Sequence, residues 1–492
     1  MSQPMTLGDL LAGVADAGAA AALPVTGLCL DSRRVRPGEA FVALRGLNHH
    51  GIEFAHTARQ RGASVVLAEA PEPSGCNESG LVVWIANLAA LLGELAARFF
   101  GHPGAALAIT GVTGTNGKTS VVQMLAQAWT RLGHVAASIG TLGAGLHGAL
   151  HSAERTTPDA ISVQAQLAEF RERGVDKVAM EVSSHALVQG RVNAVPYRSA
   201  VFTNLSRDHL DYHGSMQAYF EAKARLFACP DLTTAVINVD DPCGRELAAR
   251  LPDGLPCLGF GMDSANAEVR AVNLESHADG FDFELLTPWG RGPVHTPLLG
   301  RFNVANLLAV AACLGADDVP FAALGETLSH LQPIRGRMNR IGGNHQTLVV
   351  VDYAHTPQAL EMALRSLRPH VRGRLLCVFG AGGDRDRGKR PQMGRTAELL
   401  ADQVIVTDDN PRSEDGDAIV ADILGGLDQP DAARVIRDRA RAITDAITGA
   451  TADDVVLIAG KGHETTQEDA YGKHPFDDLE VAARVLAGRS AC

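Results

Sequence analysis

The 492 residues carry 44 Lys plus Arg against 56 Asp plus Glu, a formal net charge of −12. That balance excludes a broad basic field for nucleic acid or for an anionic membrane, so anion binding has to come from local basic loops. Composition is globular, and the length predicts about three domains. Eight cysteines (Cys29, Cys76, Cys229, Cys243, Cys257, Cys313, Cys377, Cys492) are scattered without CxxC spacing. They read as reduced thiols and not as a disulfide frame, and none is a candidate nucleophile. The opening MSQPMTLGDLLAG lacks the basic start and continuous apolar run of a signal peptide, and no run approaches membrane-span length. A soluble, cytoplasmic chain is expected.

Short apolar runs at 41–44, 64–67 and 82–85 predict strands, and an Ala/Leu-rich stretch at 88–100 predicts a helix. The sequence GHPG at 101–104 punctuates a boundary. The apolar run 106–109 then leads into GVTGTNGKTS at 111–120, followed by Val121, Leu125, Ala128, Trp129 and Leu132 on one helical face and Gly133 as its stop. A glycine-rich turn between a strand and a helix is a phosphate cradle. Gly114 and Gly117 let the backbone approach an anion, the helix N-terminus favours it, Lys118 adds a point charge and Thr119 offers an oxygen to Mg2+. Five residues, not four, separate Gly111 from Gly117, so the strict GxxxxGK[ST] spacing holds only if Val112 takes the first glycine position.

Strand candidates follow at 178–182, 199–203 and 235–239, each ending in a polar or Gly-bearing loop, which predicts a mostly parallel sheet. EVSSHAL at 181–187, FTNLSRDHLDYHGS at 202–215 and YFEAKARLF at 219–227 adjoin these strands. Glu181 and His209 are ligands able to hold Mg2+ beside a nucleotide, and Lys223 lies on a helix whose apolar neighbours can bring its ammonium close to them. Singly, such residues are more often ion-pair partners; together with the cradle they become specific. After Gly336, strands predicted at 348–352, 375–379, 403–407 and 455–459 alternate with helical stretches in a Rossmann-like pattern. Their carboxyl ends carry DYAHTP, GAGGDRDRGKRP, DDNPR and GKGHE, at the edge where open parallel sheets collect ligands. The reading is an α/β chain of three domains: an N-terminal α/β domain at 1–101, a central P-loop ATPase-like, mostly parallel sheet at 102–336, and a C-terminal Rossmann-like domain at 337–492.

In chain order, GTNGKTS, EVSSH, TNLSRDHLDYHG, GRFNVANLLA, GRM and DYAHTP resemble successive motifs of the Mur ligases of peptidoglycan precursor synthesis, a family that also resembles the folylpolyglutamate synthetases. The resemblance covers nearly the whole length and implies an ATP- and Mg2+-dependent amide-forming ligase. In that family ATP phosphorylates a substrate carboxylate, and an incoming amine attacks the acyl phosphate through a tetrahedral intermediate, releasing phosphate. It implies nucleotide contacts at Gly114, Thr115, Asn116, Gly117, Lys118, Thr119, Ser120, Asn303, Arg337 and His355, with Asp352 nearby and a hinge near Gly336. It implies catalytic roles for Lys118, Glu181, His209 and Lys223, and Mg2+ held by Thr119, Glu181, His209 and Lys223, the lysine being carbamylated (N6-carboxylysine). Carbamylation requires a neutral amine, which burial favours.

The same resemblance assigns the uridine diphosphate end of UDP-N-acetylmuramoyl-L-alanyl-D-glutamate to the N-terminal domain, at Leu30 and Ser32 of LDSRR and Leu47, Asn48 and His49 of RGLNHHG. It assigns the muramoyl peptide to Arg155, Thr156, Thr157, Ser183, Gln189 and Arg191, whose hydroxyl, amide and guanidinium groups can satisfy carboxylates and peptide groups. Arg155 stands where a relative has an uncharged polar residue. DNPR, comprising Asp409, Asn410, Pro411 and Arg412, resembles the signature of the branch that accepts meso-diaminopimelate. Arg412 can pair with the distal carboxylate of that amino acid, whereas lysine would leave the guanidinium unpaired. Arg385, Gly460 and Glu464 complete the implied acceptor site, and Pro411 fixes the bend that aims its neighbours. The alternatives are a relative that adds lysine, a folylpolyglutamate synthetase, and an ATP-binding regulatory protein. DNPR disfavours the first, the N-terminal hundred residues the second, and retention of Lys118, Glu181, His209, Lys223, Arg337 and His355 the third. A monomer without nucleic-acid partners or membrane insertion is expected.

Overall fold

A computed structural model describes residues 5–46, 49–76, 80–152, 155–277, 280–343 and 346–490. The chain divides into two compact units, residues 1–237 with 241–258 and residues 238–240 with 259–492.

The first unit opens with a parallel sheet of Leu28–Cys29 (β1), Ala40–Ala43 (β2), Val65–Glu69 (β3) and Val82–Ile85 (β4), in that spatial order. Because side chains alternate across a strand, Phe41 and Ala43 meet Ala55 and Ala58 of Ala55–Gln60 (α1), while Ala40 and Val42 meet Leu88, Leu92 and Leu95 of Leu88–Phe99 (α2). Each of those leucines contributes about 1.5–3 kcal/mol by leaving water.

The second sheet of this unit contains Ala108–Thr113 (β5), Ala136–Gly140 (β6), Gly143–Leu146 (β7), Ala149–His151 (β8), Lys177–Glu181 (β9), Tyr197–Phe202 (β10) and Thr234–Asn238 (β11), in the order β8-β7-β6-β9-β5-β10-β11. The pairs β6·β9, β9·β5, β5·β10 and β10·β11 are parallel, as expected. An antiparallel extension, β7 and β8, was not foreseen; its Gly143 and Gly145 take φ +123° and +152° and interrupt any apolar run. Helices Lys118–Arg131 (α3), Ala160–Glu172 (α4), Ser184–Val188 (α5), Leu210–His213 (α6) and Met216–Ala224 (α7) follow the strands. Register is what positions the site. Glu181, at the end of β9, pairs with Val112, and Phe202, at the end of β10, pairs with Thr113, so the segments after both strands flank the turn after β5.

The second unit begins with an antiparallel meander, Val269–His277 (β12), Gly280–Thr287 (β13) and Gly290–Thr296 (β14), and helices Arg301–Ala316 (α8) and Phe321–Ser329 (α9). The meander departs from the parallel expectation: its strands alternate buried with exposed polar residues and carry no continuous apolar run. Next come Asn339–Gly342 (β15), Leu348–Asp352 (β16), Pro357–Leu367 (α10), Leu375–Phe379 (β17), Lys389–Leu400 (α11), Gln403–Val406 (β18), Gly416–Leu424 (α12), Arg434–Val435 (β19), Arg439–Thr448 (α13) and Val455–Ala459 (β20). The chain ends in the hairpin Thr466–Asp469 (β21) and Gly472–Pro475 (β22) and the helix Asp478–Ser490 (α14).

The sheet order is β15-β16-β20-β17-β18-β19, parallel except for β15. Val350, Cys377, Phe379 and Leu457 pack on one face with Leu360, Met393 and Ile419 from α10 to α12. Val349, Val351, Val378 and Ile458 pack on the other with Ile443 and Leu486 from α13 and α14. Helices on both faces make the doubly wound arrangement that the alternating pattern predicted.

Candidate active site

The turn after β5 is held open by its neighbours. Gly114 sits at φ +147°, and a side chain there would collide with Thr203 Oγ1. Thr115 N donates to Asn204 O (2.8 Å), Asn116 N donates to Asn204 Oδ1 (2.9 Å), and Thr203 Oγ1 donates to Asn116 O (2.6 Å). The segment after β10 thus fixes the cradle. Gly117, at φ +87°, caps α3, leaving the first N–H groups of that helix directed at the turn. Lys118 Nζ donates to the carbonyls of Gly114 and Thr115, both at 2.9 Å. Ser120 lies buried in the first turn of α3.

Thr119 Oγ1 donates to Glu181 Oε2 at 3.0 Å. The carboxylate is buried and also held by Thr141, whose N–H reaches Oε1 at 2.8 Å and whose hydroxyl reaches Oε2 at 3.2 Å. Among the described residues no three His, Cys, Asp or Glu side chains cluster as a metal site. Thr119 and Glu181 are nevertheless hard oxygen donors of the kind Mg2+ takes, singly or in pairs, with phosphate and water oxygens completing its shell.

Lys223, on α7, is 1% exposed, and its Nζ donates to Gly114 O at 2.8 Å and lies 4.4 Å from the Tyr219 ring centroid. Burial first, and then the nearby Lys118 charge, pushes its pKa well below the usual lysine value. Its amine is therefore favoured in the neutral form. Tyr219 is buried as well, with its hydroxyl 3.3 Å from Thr115 Oγ1. His209, left-handed at φ +52°, caps α6 and lies 3.4 Å from Asp208. Its ring joins His185 at 4.8 Å between centroids, and His185 lies 5.4 Å from His213. Burial lowers all three imidazoles, His185 to about 4 with His209 and His213 adding to the effect, so they favour the uncharged state.

Next to this cluster, Thr156 Oγ1 lies 3.1 Å from Thr141 Oγ1, and Thr157 Oγ1 bonds Glu181 O at 2.8 Å and the backbone N–H of Ser183 at 3.1 Å. Arg191 donates to Thr157 O (3.0 Å) and through Nε to Gln189 Oε1 (2.8 Å), while Gln189 reaches the Tyr212 hydroxyl at 3.2 Å. Burial first, and then Arg155, lowers the pKa of Arg191, which places the exposed Arg155 in the same field. The structure thus brings together Thr156, Thr157, Ser183, Gln189 and Arg191 beside Glu181. In the N-terminal sheet, Leu30 packs against the core, Ser32 is buried, and His49 is exposed with Nδ1 3.1 Å from Glu53. Leu47 and Asn48 lie outside the described residues.

The remaining expected residues belong to the second unit. Pairing of Asp352 with Ala459 sets the loop after β16 beside the loop after β20. Arg337 stacks 4.6 Å above the Tyr353 ring, whose centroid is 4.6 Å from His355 and 4.8 Å from His463. Asp352 is raised by burial, against Arg337, and accepts from Met338 N at 2.8 Å. Asn303, buried in the first turn of α8, donates to Leu299 O at 2.8 Å and accepts from Asn306 at 3.1 Å. Its amide is thus engaged by the backbone just before its helix and by the next turn of the helix.

Asp409, Asn410, Pro411, Arg412, Gly460 and Glu464 do converge. Asn410 Nδ2 donates to Glu464 Oε2 (2.8 Å), and buried Lys461 donates to Asn410 Oδ1 (2.9 Å) and Glu464 Oε2 (3.0 Å). A Cβ on Gly460, at φ +117°, would strike Asp409. Arg412, at φ +53°, donates to Gly383 O at 2.8 Å and lies 3.4 Å from Glu468; Arg385, exposed, donates to Asp384 O at 2.9 Å, and both arginines lie beside Gly382. The sequence reading missed Thr141, Asn204, Tyr219, Lys461 and Glu468. Only the strand register and the hairpin bring them in, although a buried-type lysine in GKGHE was a signal available in the motif itself.

Three family models match the chain: the Mur ligase family catalytic domain at 24–100, the Mur ligase middle domain at 112–314, and the Mur ligase glutamate ligase domain at 336–462. The chain is 55% identical over 492 residues, covering 100% of itself and 99% of its counterpart, to a Xanthomonas campestris protein named UDP-N-acetylmuramoyl-L-alanyl-D-glutamate–2,6-diaminopimelate ligase. Its fold is similar to a solved ligase of that name, with a TM-score of 0.73, 36% identity, and coverage of 99% of this chain and 100% of that one. A MurF ligase from Thermotoga maritima in complex with ADP shares the fold at a TM-score of 0.64 and 18% identity, with coverage of 94% and 98%. No helix among the described residues is long and apolar enough to cross a membrane.

Proposed function

The chain belongs to the Mur ligase family, and from that premise we propose that it joins meso-2,6-diaminopimelate to UDP-N-acetylmuramoyl-L-alanyl-D-glutamate, using ATP, in peptidoglycan synthesis. ATP phosphorylates the D-glutamate side-chain carboxylate; the amine of the amino acid displaces phosphate, leaving an amide, ADP and inorganic phosphate. The observation that carries the reading is the convergence of Lys118, the Thr119–Glu181 pair and buried Lys223 on the turn at Gly114.

Phosphoryl transfer between two anions depends on concentrated positive charge and alignment. Lys118 exchanges the carbonyls of Gly114 and Thr115 for phosphate oxygens, and the N-terminus of α3 receives the same anion. Thr119 and Glu181, joined by His209 and by Lys223 as its carbamate, would hold Mg2+, which would supply charge neutralisation at the phosphates. Lys223, neutral because it is buried beside Lys118, adds CO2 and releases a proton, which turns an amine into a carboxylate ligand. The reading gives the rest of the nucleotide to Asn303, Arg337 and His355. Thr156, Thr157, Ser183, Gln189 and Arg191 hold the muramoyl peptide, with Leu30, Ser32 and His49 toward the uridine diphosphate. Asp409, Asn410, Arg412, Gly460 and Glu464, with Arg385, receive the amino acid. Segments 1–101, 102–336 and 337–492 then serve UDP-sugar, ATP and amino acid respectively, in a cytoplasmic monomer.

The test supplies ATP, Mg2+ and the UDP-linked dipeptide with meso-diaminopimelate, lysine or ornithine separately, and follows phosphate release and the UDP-linked product. Product with meso-diaminopimelate alone is expected. Equal use of lysine moves the assignment to another branch, and ATP turnover with no amino acid joined removes the ligase reading.

A further inference from the structure

Glu181 Oε2 accepts two hydroxyl protons, from Thr119 at 3.0 Å and from Thr141 at 3.2 Å, while Oε1 is anchored by Thr141 N at 2.8 Å. Thr141 is the first residue after β6, and it reaches the carboxylate because Gly140 before it lacks the side chain that would strike Glu181 Oε1. The Thr141 hydroxyl also lies 3.1 Å from the Thr156 hydroxyl, and either oxygen can be the donor in that pair.

We infer that Thr141 is a positioning residue that couples anion binding at Thr156 to cation binding at Glu181. The inference rests on the reading above, in which Thr156 faces the muramoyl peptide and Glu181 the metal.

A hydroxyl has one proton to give. With no ligand, Thr141 gives it to Glu181 Oε2 and accepts from Thr156. A peptide carbonyl or carboxylate at Thr156 takes the Thr156 proton for itself. The contact between the two hydroxyls then survives only if Thr141 turns its proton toward the Thr156 oxygen. That rotation removes one donor from Glu181 Oε2 and opens a lone pair to a cation. The carboxylate stays in place throughout, because the backbone N–H of Thr141 keeps Oε1. By linkage the effect runs both ways: a cation on Oε2 drives the same rotation and leaves Thr156 free to donate to the dipeptide.

The test measures Mn2+ binding, as free-Mn2+ electron paramagnetic resonance, to the full chain with a non-hydrolysable ATP analogue, with and without UDP-N-acetylmuramoyl-L-alanyl-D-glutamate. In the wild type the dipeptide should tighten Mn2+ about tenfold, the size of one hydrogen bond exchanged at a carboxylate. Thr141→Val, which keeps the shape and the backbone N–H, should reduce the factor to about one, and Thr141→Ser should restore it. Thr156→Val interrupts the relay from the other end and should also give a factor near one, so the test stands even if Thr141→Val does not fold. A factor unchanged in Thr141→Val or Thr156→Val overturns the inference. Turnover of the dipeptide by the same wild-type preparation separates the two levels: turnover without coupling overturns the relay alone, whereas no turnover overturns the function beneath it, and the relay with it.

Discussion

Around Gly114 the lysine side-chain nitrogens hydrogen-bond to backbone carbonyls, Lys118 to Gly114 and Thr115 and Lys223 to Gly114, whereas around DNPR the cations face carboxylates as well: Arg412 faces Glu468, Lys461 faces Glu464, and Arg439 faces Asp478. A carbonyl is a partial counter-charge. An incoming polyphosphate offers a full one, so exchanging the first for the second strengthens each hydrogen bond. The region of the first unit is therefore poised for an anion. The region of the second unit is balanced in charge before any ligand arrives, which suits a zwitterion carrying both ammonium and carboxylate groups. On the proposed function, affinity in the first would come from charge, and selectivity in the second from where each charge is fixed.

The sharpest way to break this contrast is Lys118→Ala. It removes the exchangeable ammonium, and turnover should fall by about a thousandfold or more while the thermal midpoint stays close to the wild type. Near-normal product formation would end the phosphate assignment. Arg439→Ala attacks the other region through its scaffold. Arg439 and Asp478 are both fully buried, with Nε and the terminal nitrogen each 2.7 Å from the carboxylate. Removing one partner leaves Asp478 as an uncompensated charge, at a cost of about 3–5 kcal/mol in urea unfolding. The same truncation at exposed Arg250, paired with Glu221 at 2.7 Å, should cost about 1 kcal/mol or less. If both cost the same, carboxylate pairing does not organise the second unit. Arg412→Ala should raise the Michaelis constant for meso-diaminopimelate by a factor corresponding to about 2–5 kcal/mol, roughly thirtyfold to several thousandfold, with little change for ATP or the UDP-linked dipeptide. Lysine should lose far less. Equal weakening of all substrates would make DNPR a structural turn.

What could be read from the sequence follows from how locally each feature is encoded. The runs 82–85, 348–352, 375–379 and 455–459 coincide residue for residue with β4, β16, β17 and β20, three of them buried on both faces of a parallel sheet and so continuously apolar. The hairpin of β7 and β8, the meander β12 to β14 and the pair β21 and β22 escaped, because each exposes a face and mixes glycine or charged residues into its strands. The same division holds within the site. Lys118 and Thr119 announce themselves in one contiguous loop, and DNPR in another. Thr141 holds Glu181 from 40 positions away, and Asn204 braces Asn116 from 88, through parallel register that no local pattern records. Lys223 was legible through the apolar neighbours of its helix and through its family motif; its burial follows from the packing of Tyr219 and Phe220 on the same helix.

The mildest effect tests the least ordinary feature of the first region, a buried lysine whose pKa burial and Lys118 pull well down. Burial and Lys118 keep the folded pKa of Lys223 well below the ordinary value of 10.5, whereas the unfolded chain exposes the amine at that value. Below pH 10.5 the unfolded chain therefore binds a proton that the folded chain resists, and this opposes folding. The penalty is present at pH 7 and fades as the pH rises toward 10.5. Lys223→Met keeps the length of the side chain, places sulfur near the Tyr219 ring, and leaves Gly114 O its bond from Lys118. In CO2-free buffer it should raise the thermal midpoint at pH 7 by about 2 °C and by less at pH 10. Bicarbonate should then stabilise the wild type and not the variant, because only a neutral amine can take up CO2, and whatever binds the folded state alone raises its stability. A variant equally displaced at both pH values, or a wild type indifferent to bicarbonate, would mean that Lys223 stays an ammonium and that both regions meet their ligands with charged lysines.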